Sequence, residues 1–202
     1  VKVCGESTTG IRPFVEGDRN PSDPYGVSKM EAENALQKLA LDTGMEVVII
    51  RPPLVYGPEV KANFFNLLKL SNSKLPLPFA YVDNKRSMIY VGNLVNFIIR
   101  CIDHPNAANQ IFLVSDGEDL SLKSLITYIR KAMGRSACLL PVPVSLFKLV
   151  GKLTKKSDVV DRLVGDFQVD SSKARKLLDW TPPYPVEQGI VETVADFNNR
   201  KV

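Results

Sequence analysis

Four consecutive β-branched residues, Val47-Val48-Ile49-Ile50, closed by Arg51-Pro52-Pro53, constrain the fold of this chain more than any other stretch. A continuously apolar run of this length suits a strand buried on both faces of a parallel sheet, and parallel strands need helical crossovers between them. The flanking sequence supplies these. Upstream, Met30, Ala32, Ala35, Leu36, Leu39 and Ala40 recur at helical spacing within Ser28 to Thr43, and Gly44 follows as a left-handed stop. Downstream, Leu94, Val95, Phe97, Ile98 and Ile99 predict a helix over Val91 to Ile102 that ends at His104-Pro105, and Gln110 to Val114 predicts another strand. This alternation places the chain in the α/β class. After Asp116 the texture changes. Ser121 opens a helix through Met133 that ends at Gly134, Leu139 to Val142 is extended, and Val144 to Leu153 is helical. A last helix is expected over Ser172 to Leu178, before the stop at Trp180-Thr181-Pro182-Pro183.

At 202 residues and 45% hydrophobic, the chain can bury a sizeable core. A net charge of +4, with Lys and Arg interleaved with Asp and Glu, leaves no nucleic-acid footprint but suits anionic small ligands. Cys4, Cys101 and Cys138 are too scattered for a disulfide framework or a zinc site, so a reducing cytoplasm is the simplest compartment. No apolar run approaches the roughly 20 residues that cross a bilayer, and stable membrane insertion is not expected. His104 reads as a helix-end cap, Trp180 as a packing residue and Cys4 as a buried, unreactive thiol. Lys148, Lys152, Lys155 and Lys156 flank the apolar Leu146, Phe147, Leu149 and Val150, a pattern read as a solvated face over an apolar groove, with contact to an anionic membrane as the alternative.

Tyr25 and Lys29 stand four residues apart in Asp23-Pro24-Tyr25-Gly26-Val27-Ser28-Lys29, at the start of a helix, so both point from one face. Their axial separation is about 6 Å; by itself such a pair is commonly just a solvated helix face, but it also lets a nicotinamide ribose lie between the two groups with Lys29 on its hydroxyls. A neighbouring ammonium and a cationic nicotinamide both favour a phenolate, which makes Tyr25 a usable proton acceptor. Ahead of this pair, Val1-Lys2-Val3-Cys4-Gly5 reads as the tail of a strand, with no glycine-rich strand-to-helix turn before it. The chain is therefore expected to lack an N-terminal part. Its sheet is expected to expose apolar faces and unpaired edges, which association with another chain would relieve.

Gly5-Glu6, Pro13-Phe14-Val15-Glu16, Pro21, Pro24 to Lys29, Glu33, Arg51 to Pro58, Lys85 to Leu94 and Asp170 to Ala174 with Leu177 to Trp180, taken in order, resemble the extended short-chain dehydrogenases acting on nucleotide sugars, the UDP-glucose 4-epimerase group in particular. The resemblance runs from Val1 to about Gly189. It implies the C-terminal part of a Rossmann-like, doubly wound parallel sheet plus a smaller mixed α/β substrate-binding domain. Residues 1–58 and 84–115 would be the remnant of the NAD(P)-binding domain, and residues 59–83 and 116–202 the nucleotide-sugar-binding domain.

The resemblance also implies roles. Tyr25 would be the acid/base on the sugar 4-hydroxyl and Lys29 the ribose holder, and Pro52 would meet the nicotinamide amide through its backbone. Asn63 would contact the nucleotide and Arg86 the diphosphate, to which a guanidinium fork is suited. Arg162 and Asp166, spaced one residue wider than in the epimerases, would bind uridine and ribose. The implied activity is NAD-dependent UDP-hexose 4-epimerisation through a 4-keto sugar, with NADP not excluded, in cytoplasmic polysaccharide precursor synthesis. Alternatives are a UDP-4-keto-6-deoxy-N-acetylhexosamine 4-reductase, or an inactive fragment that only binds a sugar nucleotide. The family's catalytic Ser or Thr would fall before Val1. Cys4 replaces a usual Tyr, and Leu54 an Asn that touches substrate. The expected partners are the UDP-sugar and either a second copy or the missing N-terminal half.

Overall fold

A computed structural model describes residues 1–155 and 157–200. Its strands are short, parallel and paired across long stretches of sequence. β1 (Ile49–Arg51) pairs with β4 (Ile111–Leu113), Ile49 opposite Ile111, and β2 (Leu54–Tyr56) pairs with β3 (Met88–Tyr90), Leu54 opposite Met88. Pro52 and Pro53 explain why one extended segment serves two partners: neither has an N–H to donate, so the ladder breaks between them and the chain changes neighbour. The expected strand at Val47–Ile50 begins two residues later, because the Val47 N–H is taken by the Asn109 side chain and backbone pairing starts with the Ile49 N–H on the Gln110 carbonyl.

Eight helices surround these strands among the described residues: α1 (Pro24–Thr43), α2 (Ala62–Ser71), α3 (Val91–Asp103), α4 (Leu122–Ala132), α5 (Val144–Leu153), α6 (Ser157–Val164), α7 (Ser172–Leu178) and α8 (Val186–Asn199). Local signals account for several boundaries. Ser121 caps α4 by accepting the Ser124 N–H, and Gly44 ends α1 with φ 74°. His104 Nδ1 accepts the Asn106 N–H, so its side chain caps the short turn Pro105–Ala107 that follows α3 rather than the end of α3 itself. The last helix is α8, not α7. It follows Pro185 and turns Val186, Ile190, Val194 and Phe197 inward at helical spacing. Gly189 lets this helix approach the sheet, since a Cβ there would sit 2.8 Å from the Tyr90 ring. Residues 1–4 form a turn closed by the Cys4 N–H on the Val1 carbonyl, not the strand expected there.

The largest apolar cluster packs Tyr56, Met88 and Tyr90 of the strands against α2, α4 and α8. A second places Ile89 and Phe112 against α3, α7 and Trp180. Trp180 is the packing residue expected: it meets Phe97 edge-on at 4.8 Å and its indole N–H donates to Asn96. Asp116 joins the layers, accepting from the Tyr56 hydroxyl at 2.8 Å, the Tyr90 N–H at 2.9 Å and the Asn93 amide at 2.7 Å. Burial pushes the Asp116 carboxyl up from its ordinary range, and these donors hold it back. By contrast α1 buries only Gly26 and Glu33, leaving Leu36, Leu39 and Leu41 exposed, and α3 exposes Val95, Ile98, Ile99 and Ile102. No helix among the described residues is long and apolar enough to cross a membrane.

Candidate active site

α1 begins where Asp23, in extended conformation, accepts the Gly26 N–H at 2.5 Å, and Pro24 follows at a first-turn position that needs no donor. Gly26 fits there because a Cβ would lie 2.9 Å from the Lys2 carbonyl oxygen. This tight seat leaves the opposite face of the first turns open. Tyr25 is 59% exposed, Lys29 is exposed, and the Lys29 ammonium lies 5.3 Å from the Tyr25 ring centre. Neither the Tyr25 hydroxyl nor the Lys29 ammonium bonds to another described residue, so both are available to a ligand.

Asp23 also begins a string of charges. The Lys2 ammonium is held between Glu6 and Asp23, and the other Glu6 oxygen lies 3.9 Å from the Arg162 guanidinium. Burial works against the Lys2 charge, yet the two carboxylates hold it above its usual range. The Gly26 N–H above all, and then Lys2, keep the Asp23 carboxyl below its ordinary value of 3.8. The ionised cap is thus favoured above that value and is lost as pH falls through the lower folded value. A carbon-detected NMR titration should place the Asp23 midpoint below 3.8, with the Gly26 amide shifting alongside it; a midpoint at or above 3.8 would contradict this capping geometry.

The string ends at a second cluster. Arg86 donates to the carbonyls of Arg162 at 2.6 Å and Gly165 at 3.2 Å, and its guanidinium lies 5.9 Å from the Phe167 ring centre. Burial lowers its proton affinity and the Asp166 charge opposes that shift. Asp166 accepts the Lys85 N–H at 2.7 Å. The structure therefore brings together Tyr25 with Lys29, and Arg86 with Arg162 and Asp166, joined through Glu6 and Lys2. Asn63 lies exposed in the first turn of α2 and bonds to none of them. Pro52 follows β1, and its carbonyl accepts from the Val1 nitrogen at 3.1 Å.

Reading the sequence missed the group that fixes α1 to the sheet. Arg51 is 2% exposed and makes a two-pronged ion pair with Glu33, at 2.8 and 2.6 Å. It also donates to the Glu16 carbonyl at 2.9 Å and meets the Cys4 sulfur at 3.5 Å. Burial pushes the Cys4 thiol up, which keeps it the unreactive thiol expected. The signal was a cation ending the β-branched run and a carboxylate on the preceding helix.

Residues 2–115 match the NAD dependent epimerase/dehydratase family. A Vibrio cholerae protein named UDP-glucose 4-epimerase is 49% identical over 205 residues, covering 99% of this chain and 62% of the relative. An Escherichia coli O157:H7 protein named N-acetyl-alpha-D-glucosaminyl-diphospho-ditrans,octacis-undecaprenol 4-epimerase is 27% identical over 203 residues, covering 92% of this chain and 61% of the relative. The chain thus spans about three-fifths of these relatives. The crystal structure of UDP-glucuronic acid 4-epimerase from Bacillus cereus in complex with NAD superposes on the whole chain and 60% of its own, with a TM-score of 0.76 at 20% identity. That likeness shows the Rossmann-like α/β fold expected from the sequence. With more than half of its length matching the family, this chain belongs to the NAD dependent epimerase/dehydratase family.

Proposed function

We propose that this chain supplies the proton-transfer and sugar-nucleotide-binding side of an NAD-dependent UDP-hexose 4-epimerase. The observation that carries the proposal is the open pair of Tyr25 and Lys29, one helical turn apart on a firmly seated helix start. The names of the relatives support it: the Vibrio protein is named for 4-epimerisation of a UDP-sugar and the Escherichia coli protein for that of a sugar on a diphospho-undecaprenol. Both are hexoses on a diphosphate, changed at C4.

In this reading the Tyr25 oxygen takes the proton from the sugar 4-hydroxyl and gives a proton back to the same sugar oxygen when the 4-keto sugar is reduced on its other face. Lys29 holds the cofactor ribose and stabilises negative charge on that oxygen. The exposed, unshared side chains of Tyr25 and Lys29 fit the nicotinamide-ribose end of the dinucleotide, and the Pro52 backbone is assigned to its amide. When bound, the dinucleotide supplies the hydride acceptor and donor for C4. Arg86, Arg162 and Asp166 hold the nucleotide diphosphate and ribose, and Asn63 the base. Arg86 already spends part of its fork on carbonyls, so it offers its remaining N–H groups. Residues 1–58 with 84–115 serve the cofactor and residues 59–83 with 116–202 the sugar nucleotide. A second polypeptide, whether a copy or a further segment, covers the exposed apolar residues of α1 and α3.

The full gene product with NAD should interconvert UDP-glucose or UDP-N-acetylglucosamine with its 4-epimer, followed by chromatography, without net change in NADH absorbance. Stoichiometric consumption of NAD(P)H on a 4-keto substrate would turn the reading to the reductase. No change at C4 in any UDP-hexose would end it.

A further inference from the structure

Charge is segregated in one part of this chain: from Leu120 to Ser157 there are eight Lys and Arg and no Asp or Glu, in a protein whose net charge is only +4. α5 lies in this stretch and is apolar on two sides. Its Val144 and Phe147 pack inward with Leu77, Phe79 and Ile126, and Phe147 stacks on Phe79 at 5.6 Å. Its Gly151 faces Val160 of α6. On the outside, Leu146, Leu149, Val150 and Leu153 are 48%, 53%, 49% and 75% exposed. Their spacing of i, i+3, i+4 and i+7 makes one continuous stripe. The outer apolar residues are thus not the covered groove expected from the sequence. α6 adds Val159, 63% exposed.

Lys148 and Lys152 rise from the same helix and Lys155 follows it, all exposed and none bonded to a carboxylate among the described residues. Lys156, expected in the same face, lies outside the described residues. α5 itself carries no acidic residue, although α6 beside it brings Asp158 and Asp161, whereas charges of both signs stand within α1 and α3, the other helices that expose apolar residues (Glu31, Lys38 and Asp42; Arg100 and Asp103). An aliphatic stripe bordered on one side by unpaired lysines matches the boundary of an anionic bilayer, where side chains sink to the acyl level and long cationic chains reach headgroup phosphates. An acidic protein would match the charge but not the uninterrupted leucine stripe.

We infer that the outer face of α5 is a docking surface for an anionic phospholipid membrane, with Leu146, Leu149, Val150 and Leu153 entering the interface and Lys148, Lys152 and Lys155 binding its phosphates. α6, packed against α5, carries Arg162, whose carbonyl holds Arg86. Docking therefore sets the proposed diphosphate-binding cluster close to the lipid surface. The inference stands whether or not the catalytic reading does.

The test is flotation of this chain with vesicles of phosphatidylcholine alone and with about 30 mol% phosphatidylglycerol, at salt from about 0.05 to 0.5 M. Partitioning should favour the anionic vesicles by about tenfold and fall with salt. Leu149→Ser with Leu153→Ser, and separately Lys148→Glu with Lys152→Glu, should each reduce it about tenfold without changing the melting temperature, since all four side chains are exposed. No partitioning into anionic vesicles, or equal partitioning of the variants, overturns the inference. So does self-association in light scattering that the Leu149→Ser, Leu153→Ser variant abolishes while no vesicle binding occurs, which would assign the stripe to a second copy.

Discussion

Tyr25→Phe in the full gene product is expected to lower kcat for 4-epimerisation by about 10²–10⁴-fold, the range supplied by a positioned acid–base group. Phenylalanine keeps the ring beside Lys29 and removes only the oxygen. Because the hydroxyl bonds to no other described residue and the side chain is 59% exposed, folding should be untouched, with an unchanged circular dichroism melt as the control. KM for the UDP-sugar should move far less than kcat, since the lost interaction matters during proton transfer more than in binding. Turnover within about threefold of the parent would remove Tyr25 from the chemistry.

Glu33→Gln should produce the largest loss of stability. The exchange leaves the Arg51 guanidinium buried, with carbonyls and a thiol but no anion. Removing one member of such a pair costs about 3–5 kcal/mol. For a chain of 202 residues that is a fall in Tm on the order of 10 °C. Replacing both partners, Glu33→Leu with Arg51→Met, should recover most of the loss, because no uncompensated charge is left inside. Thermal melts of the single and double variants decide this: a single variant that melts within about 2 °C of the parent would show the pair to be solvated and structurally minor. The pair joins α1 to β1, so its loss should also loosen the helix start that carries Tyr25 and Lys29.

The sequence made local features legible where they rest on local physics. The helices at Val91–Asp103, Leu122–Ala132 and Val144–Leu153 carry their own periodicity, the second also its Ser121 cap, and they lie within a residue or two of expectation. α8 was hidden by Pro185 before it and Gly189 within it, both poor helix signals alone; the first starts the helix and the second admits Tyr90. α2 and α6, ten and eight residues long, were not anticipated either. Tyr25 and Lys29 were readable because one helical turn suffices to bring them together. The meeting of Arg86 with Arg162 and Asp166 was not, because it joins segments 76 or more residues apart. Backbone bonds from the Phe167 N–H to the Lys85 carbonyl and from the Ser87 N–H to the Phe167 carbonyl create it. Arg51 was read as the end of a strand, although a guanidinium there demanded a carboxylate from elsewhere, and Glu33 answers it.

The link between the first and last parts of the chain bears on how the protein is made. Thr8 donates to the Asp166 carbonyl and Phe14 to that of Gln168, and Asp170 donates back to Phe14. At about 5–20 residues per second, a ribosome takes roughly ten to thirty seconds to deliver the second segment after the first. Throughout that interval Phe14, 6% exposed in the finished fold, has no cover from Phe167 or Val169. Phe14 and the loop around it therefore complete their packing only after residues 166–170 have been made, although the Arg51–Glu33 pair that seats α1 is available far earlier.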